Sequence, residues 1–242
     1  MAWFFTDESI SADSFVISGE NAKHISKVLR MNKGETLTLV TPDRTEYLCE
    51  ISDITADNVI VKVLEKALCQ NEPSVEVTLY QALPKGDKMD YIIQKCVELG
   101  VTKIVPVVSA RCISRPDAKS LAKKQVRWQK IALQAAMQSR RGIVPQVCEC
   151  VNFSKAAELS KENDKTIIFY EMGGESVKNI LTKTPKSIGI FIGSEGGFEQ
   201  DEVDRIAADG GKTATLGKRI LRCETAPLAA LSIIMYQTGN FE

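Results

Sequence analysis

From residue 75 onward, apolar strand-like runs alternate with amphipathic segments of helical period. Two of the runs, TIIFYE (166–171) and SIGIFIG (187–193), are apolar almost without a break. A strand with no polar face needs cover on both sides, which is the situation of parallel strands flanked by helices. The alternation therefore predicts an α/β domain on a largely parallel sheet. VEVTLYQAL (75–83) and KIVPVVS (103–109) supply further strands, and TATL (213–216) a last one. GDKMDYIIQKCVELG (86–100) reads as a helix with Met89, Ile92, Ile93, Cys96 and Val97 on one face, closed by Gly100. SLAKKQVRWQKIALQAAMQS (120–139) is a longer one, with Leu121, Trp128, Ile131, Ala132 and Ala135 on its apolar side. FEQDEVDRIAADGG and TAPLAALSIIMYQTG complete the helices, the last with Pro227 in its first turn.

The first 70 residues have a different grammar. SFVISG, TLTLV, EYLCEIS and NVIVKVLE are short strands separated by the turn-forming TPDRT and TADN, and NAKHISKVLR is a short helix with Ile25, Val28 and Leu29 on one side. That pattern predicts a small barrel of OB or PUA type, an architecture common among RNA-binding proteins. The polar QNEPS (70–74) reads as a linker, giving domains at 1–70 and 75–242.

Composition excludes several classes. No apolar run approaches the ~20 residues a bilayer requires, and MAWFFTDES has neither a basic nor an apolar signal region. Seven cysteines, an odd number without a regular framework, suit a reducing compartment, so a cytoplasmic location is expected. His24 is the sole histidine and Cys148-x-Cys150 lacks partner ligands, so no metal is expected. His24 itself reads as structural or RNA-facing. Net charge is zero, but residues 73–150 hold 13 Lys/Arg against 6 Asp/Glu, whereas residues 1–72 hold 7 against 12. The basic run from Lys103 to Arg141 is either a polyanion footprint or a solvated helix face.

Two segments carry chemistry. IFIGSEGGFEQ (190–200) takes a buried strand through Gly193-Ser194-Glu195-Gly196-Gly197 into a helix. Glycines there let backbone approach a ligand at the carboxyl end of a sheet. It is neither a dinucleotide fingerprint nor a phosphate loop, and Glu195 suits a neutral or cationic ligand. The alternative is a tight turn in which Glu195 caps local amides. LGKRILRCETAP (216–227) joins Lys218, Arg219 and Arg222 to Glu224 and a helix start at Thr225, fit to wall a nucleoside pocket. Equally, Thr225 is a plain N-cap and the basic residues pair with nearby acids.

Taken together, these segments resemble the RsmE family of SPOUT methyltransferases, which methylate N3 of a uridine in the decoding region of 16S ribosomal RNA. HISKVLRMNKGE, LPKGDKMDYIIQKCVELGV, RWQKIALQAAMQSRRGIVP, IGSEGGF and LGKRILRCETAPLAAL match it in order along nearly the whole chain. The resemblance implies a PUA-like β-barrel followed by a trefoil-knotted parallel-sheet domain, a homodimer with its active site near the interface, and S-adenosylmethionine as cofactor. It places cofactor contacts at Leu83, Gly193, Glu195, Gly196, Gly197, Leu216, Ile220, Leu221, Arg222, Thr225 and Ala226. RNA contacts fall at His24, Arg30, Lys85, Lys88, Arg111, Arg140 and Arg141, with 16S ribosomal RNA in the small subunit as partner. Arg222, or Arg141 from a partner subunit, is expected to stabilise the uracil anion, while Glu195 or Glu224 orients the site or takes the N3 proton.

Four positions depart from the family pattern. Trp3 stands where relatives have Arg, Ser194 and Lys218 where they have Pro, and Met137 where they have Glu. The first and last remove polar groups expected to face RNA or a partner, and the other two loosen loops. A non-catalytic RNA-binding assembly factor, or a SPOUT enzyme for a ribose hydroxyl or a guanosine, are the competing readings.

Overall fold

The computed structural model describes residues 2–241. The chain divides into two compact units, Met1–Glu72 with Ala136–Val144, and Pro73–Ala135 with Pro145–Glu242.

The first unit is built on strands β1 (Ala2–Phe5), β2 (Ser14–Ile17), β3 (Thr36–Val40), β4 (Thr45–Ile54) and β5 (Val59–Leu68). They form one sheet in the order β1-β3-β4-β5-β2, antiparallel except for the β1–β3 pair. Phe4, Ile25, Leu37, Leu39, Ile51, Val59 and Val61 make its core. Met137 packs against that core, so its thioether replaces the polar group expected there with apolar contact. Trp3 is buried as well, grouped with Val40 and Cys69, rather than facing a ligand.

Helix α1 (Gly19–Lys23) runs straight into a π-turn over His24–Val28. The wider turn, with the Leu29 amide donating to the His24 carbonyl (2.9 Å), shifts the helical phase. Ile25 stays buried, but Val28 and Leu29 are carried off its face and are 68% and 46% exposed. The single apolar face expected for this segment is therefore broken at its last turn.

The linear domain boundary expected near residues 70–74 is also incomplete. Residues 136–144 return to the first unit because Arg141 forms a buried ion pair with Glu72 (2.7 Å) and its carbonyl accepts from the Trp3 indole (3.0 Å).

The second unit begins with β6 (Glu76–Ala82), α2 (Lys88–Glu98), β7 (Lys103–Val108) and α3 (Ala118–Gln138), whose last turn groups with the first unit. Two-residue strands β8 (Gln146–Val147) and β9 (Val151–Asn152) follow, then α4 (Phe153–Ser160), β10 (Lys165–Phe169), α5 (Val177–Ile180) and β11 (Ser187–Ile192). The chain closes with α6 (Gln200–Ala208), β12 (Lys212–Ala214) and α7 (Ala226–Gln237). The sheet order is β12-β10-β11-β6-β7-β8, with β9 also on β7, and every pairing is parallel. β11 and β6 are the two central strands, with Ile188, Ile190 and Phe191 on β11 at zero exposure, each such side chain worth about 1.5–3 kcal/mol of burial.

Gly189 leaves room where β11 passes Asn163 and Tyr80, since a Cβ there would sit 2.9 Å from the Asn163 amide nitrogen and 3.1 Å from the Tyr80 ring, which stacks on Phe191. On α2, Met89, Ile92, Ile93, Cys96 and Val97 are all buried, as the periodicity predicts. On α3, Trp128, Ala132 and Ala135 are buried, and the Trp128 indole donates to Asp90. Among the described residues no helix is long and apolar enough to cross a membrane.

Candidate active site

The strand order defines where a ligand would lie. The chain builds β6, β7 and β8 outward in one direction, then crosses back to lay β10, β11 and β12 on the other side of β6. In open parallel sheets the crevice beyond the carboxyl ends of strands at such a reversal is the usual binding place. A cleft of about 470 Å³ opens there, within the roughly 300–1,000 Å³ of small-molecule sites.

Three segments wall the cleft. Ile192–Gly197 leaves β11, Phe169–Glu171 ends β10, and Thr215–Cys223 follows β12, with Lys88 and Ala226 completing it. Of the cofactor contacts implied by resemblance, Gly193, Glu195, Gly196, Gly197, Leu216, Ile220, Leu221, Arg222 and Ala226 line this space. Leu83 and Thr225 do not. Leu83 is buried with its amide on the Val107 carbonyl (2.9 Å), and Thr225 is exposed and makes no side-chain cap on α7. The N-cap role suggested by its residue type fails because its backbone is already helical.

The glycines of the loop are set by close packing. A Cβ on Gly193 would lie 2.9 Å from the Gly197 Cα, and Gly197 has φ +68° with Glu171 Oε1 2.5 Å from where its Cβ would be. Arg111 holds the loop from outside. Its guanidinium donates to the Gly196 carbonyl (3.1 Å) and to Glu199 (2.9 and 3.0 Å). Glu199 in turn forms a reciprocal cap with Glu202 at the start of α6. Arg111, expected among RNA contacts, is thus committed to the loop. Ser194 also lines the cleft, and its buried hydroxyl has no hydrogen-bond partner.

Lys88, expected on an RNA face, reaches the cleft floor. Its ammonium meets Glu195 at 2.9 Å and Glu224 at 3.3 Å, and Glu195 also accepts from the Lys85 amide (3.2 Å). Burial raises the Glu195 carboxyl pKa, but hydrogen bonds from Lys88 and backbone amides outweigh it and leave the group below its ordinary value. Glu224 follows the same pattern, with Cys223 and Lys88 as its hydrogen-bond partners. The Cys223 thiol is pushed up to about 12 by burial and by Glu224, so it is a neutral donor at pH 7.

The same cleft is also lined by Lys218, Arg219 and Arg222, all exposed residues that appear in none of the ion pairs among the described residues. Ile220 between them is 85% exposed, an apolar side chain left for a ligand to cover.

The remaining expected residues lie elsewhere. His24 is half-buried, edge-on to the Phe4 ring. Lys85, Arg30 and Arg140 are exposed. Arg141 is 3% exposed, its guanidinium forked onto Glu72, which takes it off any RNA-facing or catalytic surface of this chain. Residues that motif reading passed over include Tyr170, Glu171, Thr215 and Cys223. The signal for Glu171 was present, since it ends an apolar run like the one leading into Gly193.

An α/β protein with a glycine-walled cleft beyond the carboxyl ends of its parallel strands, lined by both carboxylates and exposed basic residues, belongs to the class of open-sheet proteins that bind a small ligand at a strand reversal. A family model for an RNA methyltransferase domain matches residues 70–235, and one for an RNA methyltransferase PUA domain matches residues 17–64. The chain is 39% identical to the ribosomal RNA small subunit methyltransferase E of Bacillus subtilis (strain 168), over 94% of this chain and 91% of that protein. It is 33% identical to the protein of the same name from Buchnera aphidicola subsp. Acyrthosiphon pisum, over 94% and 90%. The structure of the Neisseria gonorrhoeae ribosomal RNA small subunit methyltransferase E bound to S-adenosyl methionine matches with TM-score 0.88 at 31% identity, covering 98% of this chain and 97% of that one. The chain therefore belongs to the ribosomal RNA small subunit methyltransferase E (RsmE) family of RNA methyltransferases.

Proposed function

We propose that this protein transfers a methyl group from S-adenosylmethionine to N3 of a uridine in the decoding region of 16S ribosomal RNA, acting in the cytoplasm on the small ribosomal subunit as a homodimer. The trefoil knot of the SPOUT fold is part of the same reading. The observation that carries it is the presence, in one cleft, of a glycine-walled loop with Glu195 and of Arg222, which forms no ion pair among the described residues.

The residues present fit the cofactor on three counts. The Gly193–Gly197 loop borders the cleft with closely packed glycine backbone, Ser194 offers a buried hydroxyl with no hydrogen-bond partner among the described residues, and Glu195 and Glu171 place carboxylates on the cleft wall. The cofactor would be held by the backbone of residues 193–197 together with Leu216, Leu221 and Ala226. It supplies an electrophilic methyl on a sulfonium. The chain's own work is positional and electrostatic. Arg222 stabilises the negative charge that develops on the uracil oxygens as the N3 proton leaves. Glu195, kept ionised by Lys88 and backbone amides, orients the site and is the carboxylate we assign to receive that proton. Ile220 excludes water once covered. A target base within paired RNA has to be splayed out to reach this cleft.

The test is transfer of labelled methyl from S-adenosylmethionine to small subunits from cells lacking the enzyme, followed by nucleoside analysis. N3-methyluridine is the expected product. A methylated ribose or guanosine would reassign the target, and tight binding without transfer would make the protein an assembly factor. In single-turnover assays Arg222→Ala should slow transfer by roughly 10²–10³-fold, the usual effect of losing one preorganised donor, with cofactor affinity little changed. A wild-type rate in that variant removes Arg222 from the chemistry.

A further inference from the structure

Three residues other than glycine have positive φ among the described residues, and all three are arginines: Arg30 (53°), Arg44 (64°) and Arg140 (57°). All belong to the first unit. The left-handed region disfavours any side chain with a Cβ, and glycine or asparagine are its ordinary occupants.

Arg44 sits in the β3–β4 hairpin loop, its amide on the Thr41 carbonyl (2.9 Å), at a position where such loops commonly place glycine. Arg140 follows α3. Its amide bonds the Met137 carbonyl (3.3 Å) and that of Arg141 bonds Ala136 (2.9 Å), the paired closure of a helix end that usually takes glycine. An arginine side chain contributes nothing to either turn. Both are exposed, and neither enters an ion pair among the described residues. Asp43, the neighbouring acid, is already held by the Thr41 and Thr45 hydroxyls and the Thr45 amide. Residues kept in an unfavourable backbone state without a structural return are candidates for a functional one.

Arg44 and Arg140 are also brought together. The Arg44 carbonyl accepts from the Cys69 amide (2.9 Å), and the Arg140 carbonyl from the Asn71 side chain (2.8 Å), so both are fastened to the stretch 69–71. Gly142 packs so closely there that a Cβ would lie 2.8 Å from the Cys69 sulfur. Next along the chain, the buried Arg141–Glu72 pair and the Trp3 indole on the Arg141 carbonyl anchor the same segment. The first unit carries 9 Lys/Arg against 12 Asp/Glu, 7 against 12 in residues 1–72 plus two arginines in residues 136–144. A polyanion therefore finds no general positive field on this unit and has to be gripped at local points.

We propose that Arg44 and Arg140 form a clamp for RNA backbone phosphates on the first unit. It rests on the reading of the protein as an RNA methyltransferase and adds Arg44, which nothing in the sequence singled out. The guanidinium fork matches phosphate oxygens in two-point contact, and such contacts set register without reading bases. Arg30 shares the backbone conformation, but no bond ties it to residues 69–71, and it stands outside the clamp.

The experiment uses Arg44→Gly, Arg140→Gly and the double variant, with purified small ribosomal subunits as the probe. Glycine suits both backbones better than arginine, so thermal midpoints equal to or above wild type are expected. Subunit affinity should fall several-fold per substitution. The slope of log affinity against log salt should drop by about 0.7–0.9 for each arginine removed. Cofactor affinity and the saturating single-turnover rate should hold, and Arg44→Lys should restore the salt slope but only part of the affinity, since an ammonium keeps the charge and loses the two-point contact. Unchanged affinity and salt slope in the glycine variants would overturn the clamp. Wild-type methyl transfer measured alongside separates the two ideas. Absent transfer with arginine-dependent, salt-sensitive binding fails the enzymatic reading and upholds the clamp, while normal transfer with unaltered slopes does the reverse.

Discussion

Glu72 accepts two hydrogen bonds from the Arg141 guanidinium, at 2.9 and 2.7 Å, and others from the amides of Gly142 and Ile143. With Arg141 at 3% exposure, the pair's net stabilisation is small against its desolvation, but removing one partner strands the other charge. Glu72→Ala or Arg141→Ala should each cost about 3–5 kcal/mol in urea unfolding, whereas an apolar pair at both positions should cost far less. A change below 1 kcal/mol in the single variants would show the pair to be solvated. The basic run ending at Arg141 carried no information about burial, because its partner lies 69 residues earlier in the chain. Trp3 is a similar case. A tryptophan in place of an expected arginine reads as a lost polar contact until the structure shows its indole bonded to the Arg141 carbonyl.

At the level of elements, the loop between β11 and α6 joins fold to function. Its glycines were legible because a buried strand that runs into glycines and then a helix is a local pattern. Its tether was not, since Arg111 arrives from the end of β7, about 85 residues earlier in the chain. Gly193→Ala forces a Cβ to within 2.9 Å of the Gly197 backbone, which cannot yield as a side chain would. It should weaken cofactor binding by roughly 10-fold or more, consistent with a cost of 1–3 kcal/mol for overpacking, as isothermal titration would report. Arg111→Ala should raise the cofactor Kd while leaving the salt dependence of subunit binding unchanged. A change in that slope would return Arg111 to the RNA face. The short strand β1 and helices α4 and α5 escaped the sequence reading. β1 has four residues and no alternation, and it exists by pairing in parallel with β3, more than thirty residues away.

For the whole molecule, Glu195 in the cleft and its neighbours Glu199 and Glu224 couple stability to pH. Glu199 is held below its ordinary value of 4.5 by Arg111, and Glu195 and Glu224 are also lowered once Lys88 and local donors outweigh burial. A group whose folded pKa lies below its unfolded one stabilises the protein fully above the unfolded value, and that contribution drains as pH falls through the folded one. The thermal midpoint should thus be flat from pH 7 to about 5.5 and decline below about 4.5, near the unfolded carboxylate values. Glu195→Gln should decline less steeply there. Identical acid profiles for the two would mean that the Lys88 pairing does not survive in solution.

The sequence by itself determined the alternation of strands and helices, the buried face of α2, the glycine loop and the basic segment before Cys223, because each is a property of consecutive residues. Tertiary structure alone decided that Lys88 faces Glu195 and Glu224, that Glu171 joins the cleft, and that residues 136–144 return to the first unit. Those outcomes depend on contacts between distant residues, whose closure is settled by the packing of the whole sheet and core rather than by any local preference.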